Sequence, residues 1–231
     1  MASAGPILSL SNVRSPELFG RSVGALNLEL EPGGLALIDA RDPTLAASFA
    51  DLCCGLHRPA EGAVRFLRRD WSRQPQETAD ALRGLIGRVM SDPGWLGFLD
   101  AGTNILLQQL HHTRADLEAL REEASRLAAY FGLPGLPNGP IAELSPADLM
   151  CAGFVRALLG APKLVILESP VQGLHQGLVP ALVNKLYEVR DQGGAAIWLT
   201  RSRMIWDNPV FPASHRLRLD HQGLSSIKVA A

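Results

Sequence analysis

Residues 143–174 read ELSPADLMCAGFVRALLGAPKLVILESPVQGL. Ser145-Pro146-Ala147-Asp148 opens a helix in this stretch. A hydroxyl stands at the N-cap, proline takes the first helical position, and a carboxylate follows at capping-box spacing. Leu164-Val165-Ile166-Leu167 is a continuous apolar run, as in a parallel strand covered on both faces.

Two further runs of this kind, LALI at 35–38 and AAIWL at 195–199, lie on either side of it in the chain. Each is followed by a turn and helix-compatible sequence, as 178–189 follows LVIL. That alternation predicts an α/β fold with a mostly parallel core sheet. Near the N-terminus, 7–10 and 25–30 alternate apolar and polar residues, as half-buried antiparallel strands do. In the middle, Leu117, Leu120, Ala124, Leu127 and Phe131 recur at helical spacing, with Thr113 and Asp116 at capping-box spacing ahead of them. GLPGLPNGP at 132–140 ends that helix. The expectation is one domain over 1–231, with a helical subdomain at approximately 94–150 inserted in the α/β core.

The chain has 231 residues, 47% hydrophobic and 19% charged, with a formal net charge of −1. Such a length supports a sizeable core, and near-neutral charge offers no pull towards nucleic acid. Cys53, Cys54 and Cys151 lack metal spacing and read as buried thiols of a cytoplasmic protein. No stretch reaches the roughly 20 apolar residues of a membrane span, and the start MASAGPILSL does not resemble a signal peptide.

Several stretches, in order, resemble the ATP-binding cassette domain of ABC transporters. CGLHRPAEGAVRF (54–66) is similar to the segment after that family's phosphate-loop helix, and IGRVMSDP (86–93) to its Q-loop region. Asn104-Ile105 is similar to the start of the next helix, and IWLTRS (197–202) to the strand entering the H-loop. Residues 143–174 resemble the signature motif running into Walker B and the D-loop, with Arg156-Ala157-Leu158-Leu159-Gly160 and Pro162-Lys163 as the most specific block. The resemblance implies a P-loop NTPase-like cassette: a mostly parallel core sheet, an N-terminal antiparallel β subdomain and an inserted helical subdomain. It also implies ATP and Mg²⁺ as the family's cofactors.

The chemistry positions depart from the family's pattern. A working loop reads G-x-x-x-x-G-K-[ST]: backbone N–H groups wrap the phosphates, lysine reaches the terminal ones and the hydroxyl binds the metal. Counted back from Gly55, that window is ARDPTLAA at 40–47, beginning at Ala40. Ala46 takes the lysine position, Ala47 the first hydroxyl position, and Ser48 keeps the second. Pro43 has no N–H to give, and no lysine precedes Lys163. By the same resemblance, Ser91 takes the Q-loop glutamine position, Glu168 the Walker B aspartate and Ser169 the catalytic glutamate. Arg201 takes the H-loop histidine and His175 the D-loop aspartate. Serine cannot act as the base near neutral pH, and arginine does not titrate as imidazole does. Phosphoryl transfer needs these groups together, so the sequence predicts a cassette without turnover and without dependable ATP or Mg²⁺ binding. No metal site is expected.

What replaces the phosphate is legible too. Asp42-Pro43 is an N-cap followed by proline at the first helical position, as is Ser145-Pro146. In a working cassette both helix starts face nucleotide phosphates. Here the chain supplies its own acceptors, although drift onto common helix openings would leave the same residues. Arg65 to Arg73 interleaves basic and aromatic residues and reads as a strand with outward arginines rather than a nucleic-acid patch. Trp95, Phe98 and Leu99 lie where the family receives a coupling helix of the membrane subunit; ordinary burial is the alternative.

The resemblance implies a non-catalytic subunit, peripheral on the cytosolic face of a membrane. Its partners would be a permease and either an active cassette or another copy of this chain. Ser145 is the signature residue able to complete a partner's site, against which Pro146, Ala147 and Asp148 count. VMSDPGWLGFLDAGTNI (89–105) and VNKLYEVR (183–190) resemble cassettes of MCE-type lipid transporters. The rivals are a low-activity ATPase, a free-standing scaffold of cassette fold, and an unrelated α/β enzyme. For the last, no nucleophile elbow or dinucleotide fingerprint appears.

Overall fold

The computed structural model describes residues 5–16, 24–170, 177–208 and 212–227. In chain order, β1 (Leu8–Arg14) and β2 (Leu26–Leu30) are followed by β3 (Leu35–Ala40) and α1 (Pro43–Cys53). Next come β4 (Glu61–Phe66), β5 (Arg69–Asp70), α2 (Gln76–Arg83) and β6 (Ile86–Val89). Three helices, α3 (Ala101–His112), α4 (Leu117–Tyr130) and α5 (Pro146–Leu158), then lead to β7 (Leu164–Glu168). The chain continues through α6 (Leu178–Asp191), β8 (Ala195–Thr200), α7 (Arg203–Trp206), β9 (His215–Asp220) and β10 (Gly223–Ser226).

The strands form two sheets. One is antiparallel, in the order β2-β1-β4-β5, and the other runs β10-β9-β3-β8-β7-β6. In the second, β9, β3, β8, β7 and β6 are parallel and β10 closes the edge antiparallel. The mostly parallel core and the N-terminal antiparallel sheet expected from the patterning are both present.

Alternation across β3 explains its unbroken apolar run. Ala36, Ile38 and Ala40 pack in one core with Leu45, Phe49 and Leu52 of α1. Leu35 and Leu37 pack in the other with Phe154 of α5 and Leu182 and Leu186 of α6. Both faces are buried, which accounts for the apolar run at 35–38; Asp39, near the end of the strand, is the buried charge and is paired with arginines. β6 approaches α5 so closely that a Cβ on Gly87 would lie 1.7 Å from the Ala157 carbonyl oxygen, and only glycine fits there.

The basic and aromatic stretch after α1 folds as the β4–β5 hairpin and a 3₁₀ turn, Trp71–Arg73. Its aromatic residues face inwards. Phe66 and Trp71 are buried and stack with centroids 5.8 Å apart, and Trp71 Nε1 donates to the Cys53 carbonyl at 3.1 Å.

Two helix starts differ from the sequence reading. Thr113 does not cap α4: it ends α3, its hydroxyl donating to the Gln109 carbonyl, and Asp116 is the cap, accepting from Ala119 N–H at 3.0 Å. α3 begins at Ala101 rather than at Asn104, because Asp100 accepts both the N–H and the hydroxyl of Thr103. Asn104 is turned to another task. Its side chain accepts from Leu96 N–H and donates to the Leu96, Leu99 and Asp100 carbonyls, fixing the loop before α3.

Candidate functional site

The carboxyl end of β3 turns at Asp42 into α1. Asp42 has extended backbone (φ −87°, ψ 114°), and its Oδ1 accepts from Thr44 N–H at 2.8 Å and Leu45 N–H at 3.3 Å. Pro43 has no N–H, and Ala46 N–H donates to the Asp42 carbonyl. The first turn of α1, which would otherwise face an anion with open donors, is therefore satisfied from within the chain. Ala46 is buried in the core against the sheet, and Ala47 and Ser48 are half-buried.

Beside α1, the structure brings together a group that motif reading missed. Arg88, in the middle of β6, reaches across to Glu168 at the end of β7 and to Asp51 on α1. Its Nε lies 2.5 Å from Glu168 Oε1 and its Nη1 2.5 Å from Asp51 Oδ1, while Nη2 donates to the Ala47 carbonyl at 3.4 Å. Glu168 is buried, and its other oxygen accepts from Ser91 Oγ at 3.5 Å. Burial opposes the charge on Arg88, but Cys54, Glu168 and Asp51 around it more than offset that and raise the guanidinium above its ordinary value. The signal in the sequence is a lone arginine inside the short apolar strand Ile86–Val89, which requires a buried counter-charge.

At α5, Ser145 Oγ accepts from Asp148 N–H at 3.1 Å and donates to Asp148 Oδ2 at 2.7 Å. The capping residues are those expected, but the Asp148 carboxylate takes the serine hydroxyl rather than reaching back to a backbone donor. Pro146, Ser91, Trp95, Glu168 and Ser169 line one cleft, so the signature-like start and the end of β7 share it. Ser169 sits in the left-handed region at φ 48°, its N–H bound to the Leu199 carbonyl.

Arg201 lies elsewhere. It lines a separate cavity of about 410 Å³ with Asp39, Arg41, Thr200, Arg203 and Trp206. There Asp39 pairs with Arg41 at 3.7 Å and with Arg218 at 3.4 Å. Trp95 turns partly inwards under the Arg156 guanidinium, whereas Phe98 is 82% exposed on the loop that Asn104 holds, with Leu99 half-buried beside it. His175 lies outside the described residues.

These groups do not fit a magnesium triphosphate. The backbone donors at α1 are capped by Asp42, Ala46 carries a buried methyl group, and the Glu168 carboxylate is held by arginine. Among the described residues, no group of three His, Cys, Asp or Glu side chains could hold a metal ion.

No family model matches the chain. It is 22% identical over 184 residues to a probable branched-chain amino acid transport ATP-binding protein of Archaeoglobus fulgidus, covering 75% of this chain and 71% of that one. It is 28% identical over 191 residues to a lipoprotein-releasing system ATP-binding protein of Gluconobacter oxydans, covering 82% of each. A dimeric ATP-binding cassette, solved in a post-hydrolysis state with ADP and phosphate, matches with a TM-score of 0.80 at 17% identity, over 96% of this chain and 100% of that one. No helix among the described residues is long and apolar enough to cross a membrane. The chain has the fold of an ATP-binding cassette, and in sequence it resembles the ATP-binding proteins of ABC transporters.

Proposed function

We propose that the chain is a cassette subunit of an ABC transporter that does not itself hydrolyse ATP. The observation that carries this reading is the Arg88 bridge between Glu168 and Asp51. A carboxylate locked to an internal arginine is not available to orient a metal ion or water, and Ser169 beside it offers no base near neutral pH. The caps at Asp42 and Ser145 support the same reading, since both helix starts are satisfied without a ligand. The subunit sits on the cytosolic face of a membrane. It pairs with a catalytically active cassette, or with another copy of this chain, and docks on a permease. Residues 94–150 act as the helical subdomain, with Trp95, Phe98 and Leu99 as the docking candidates. The likeness of 89–105 and 183–190 to cassettes of MCE-type transporters supports a lipid cargo.

The test is ATP turnover by the complex recovered from membranes with the tagged chain. Glu168→Gln in this chain is expected to leave turnover unchanged, while removal of the phosphate-loop lysine in the partner cassette abolishes it. Turnover by the purified chain alone, lost in Glu168→Gln, would instead establish a low-activity ATPase.

A further inference from the structure

The loop after β6 and the inner face of α5 enclose a cleft of about 400 Å³, a size within the usual range of roughly 300–1,000 Å³ for small-molecule sites. Its walls are chiefly apolar, with Met90, Pro93, Trp95, Leu149 and Met150 among them. Gly153 contributes to the lining from the interior of α5. Glycine is unfavourable inside a helix, and a close neighbour is the common reason to find one there. Gly153 has no such neighbour: a Cβ added to it would meet nothing within 4 Å, although the residue is buried. The missing side chain is what opens the cleft.

Arg156, one helical turn further on, projects into the same lining. Its Nη2 donates to the Pro93 carbonyl at 2.8 Å, and its guanidinium carbon lies 4.3 Å above the Trp95 ring. No carboxylate of a described residue pairs with it. Glu168, the carboxylate in the cleft wall, is taken by Arg88. Burial pushes the Arg156 guanidinium down to about 10, so it stays charged at neutral pH in surroundings that do not neutralise it. Trp95 Nε1 is buried as well, without a partner among the described residues. Buried charges are ordinarily paired, and a planar guanidinium matches a carboxylate with two parallel hydrogen bonds. One cation beside apolar walls suits a singly charged head on an apolar body better than a multiply charged phosphate.

We propose that this cleft binds a small carboxylate with an apolar body, of the medium-chain fatty-acid class. Its head sits on Arg156, and its chain lies along Met90, Leu149 and Met150 in the space that Gly153 leaves. The inference stands apart from whether the chain turns over ATP. The test is calorimetry on the purified full chain with octanoate, and with octanol as the uncharged isostere. Octanoate is expected to bind, and octanol about tenfold or more weaklier, because it forfeits the charge-assisted bonds. Gly153→Leu should abolish octanoate binding while the unfolding midpoint stays at or above that of the unaltered chain. Arg156→Met should erase the preference for octanoate over octanol. Equal affinity for the two probes, no octanoate binding at millimolar concentration, or unchanged binding in Gly153→Leu would each overturn the proposal.

Discussion

Arg88 and Arg156 project from neighbouring elements, β6 and α5, and the chain treats them in opposite ways. Arg88 grips two carboxylates, one on α1 and one at the end of β7. Arg156 has a carbonyl and an indole ring for company, and the space beside it stays open. Their ionisation follows suit, with Arg88 held above the ordinary arginine value and Arg156 pushed below it by burial. The contrast separates a charge that the chain pairs internally from one that it leaves without a counter-charge among the described residues. At the start of α1 and beside it, the cap at Asp42 and the ion pairs of Arg88 satisfy the chain's own donors and charges. In the cleft under α5, no carboxylate of a described residue pairs with Arg156.

The largest consequence of this contrast lies at Arg88. Replacing it with methionine strands Glu168 as a buried, unpaired charge and should lower unfolding free energy by about 3–5 kcal/mol in urea titrations. The double change Arg88→Met with Glu168→Met should recover most of that loss, since well-packed apolar groups substitute for a buried pair at little cost. At Gly87, alanine drives a methyl group into the Ala157 carbonyl and should cost roughly 1–3 kcal/mol, read as a lowered melting temperature. Arg156→Met should cost only about 1 kcal/mol, because it removes one hydrogen bond and a ring contact and leaves no charge behind. Equal losses for Arg88→Met and Arg156→Met would break the comparison. Asp42→Ala should cost on the order of 1 kcal/mol through the lost cap of α1, again by urea titration. The smallest effect has the opposite sign: Gly153→Ala should stabilise the chain by roughly 0.5–1 kcal/mol, as a helix glycine with free space at its Cβ allows.

The parallel strands, the antiparallel N-terminal pair and the caps at Asp42 and Ser145 were readable in the sequence, because each rests on a local period or a cap-and-proline pair. Thr113 and Asp116 show where such reading fails. Both are good caps by type, and only the packing of α3 decides that threonine closes one helix and aspartate opens the next. Asn104 was placed at a helix start by resemblance, yet its side chain is occupied with the carbonyls of the loop before it. Arg88 stayed hidden for a different reason. Its partners, Asp51 and Glu168, are 37 and 80 residues away in sequence, and no motif spans that distance. A charge inside a four-residue apolar strand was the available clue. Gly153 gave no clue at all, since an empty space beside a helix is a property of its neighbours.

In the proposed function, the chain's own groups fill the position that the resemblance assigns to the phosphate loop. Titration of the isolated, purified chain with Mg-ATP in a calorimeter tests this most directly. The expected result is no binding through millimolar nucleotide, with the unfolding midpoint unmoved by saturating Mg-ATP. Saturable micromolar binding, with a rise in the midpoint that Asp42→Ala or Arg88→Met further increases, would contradict it.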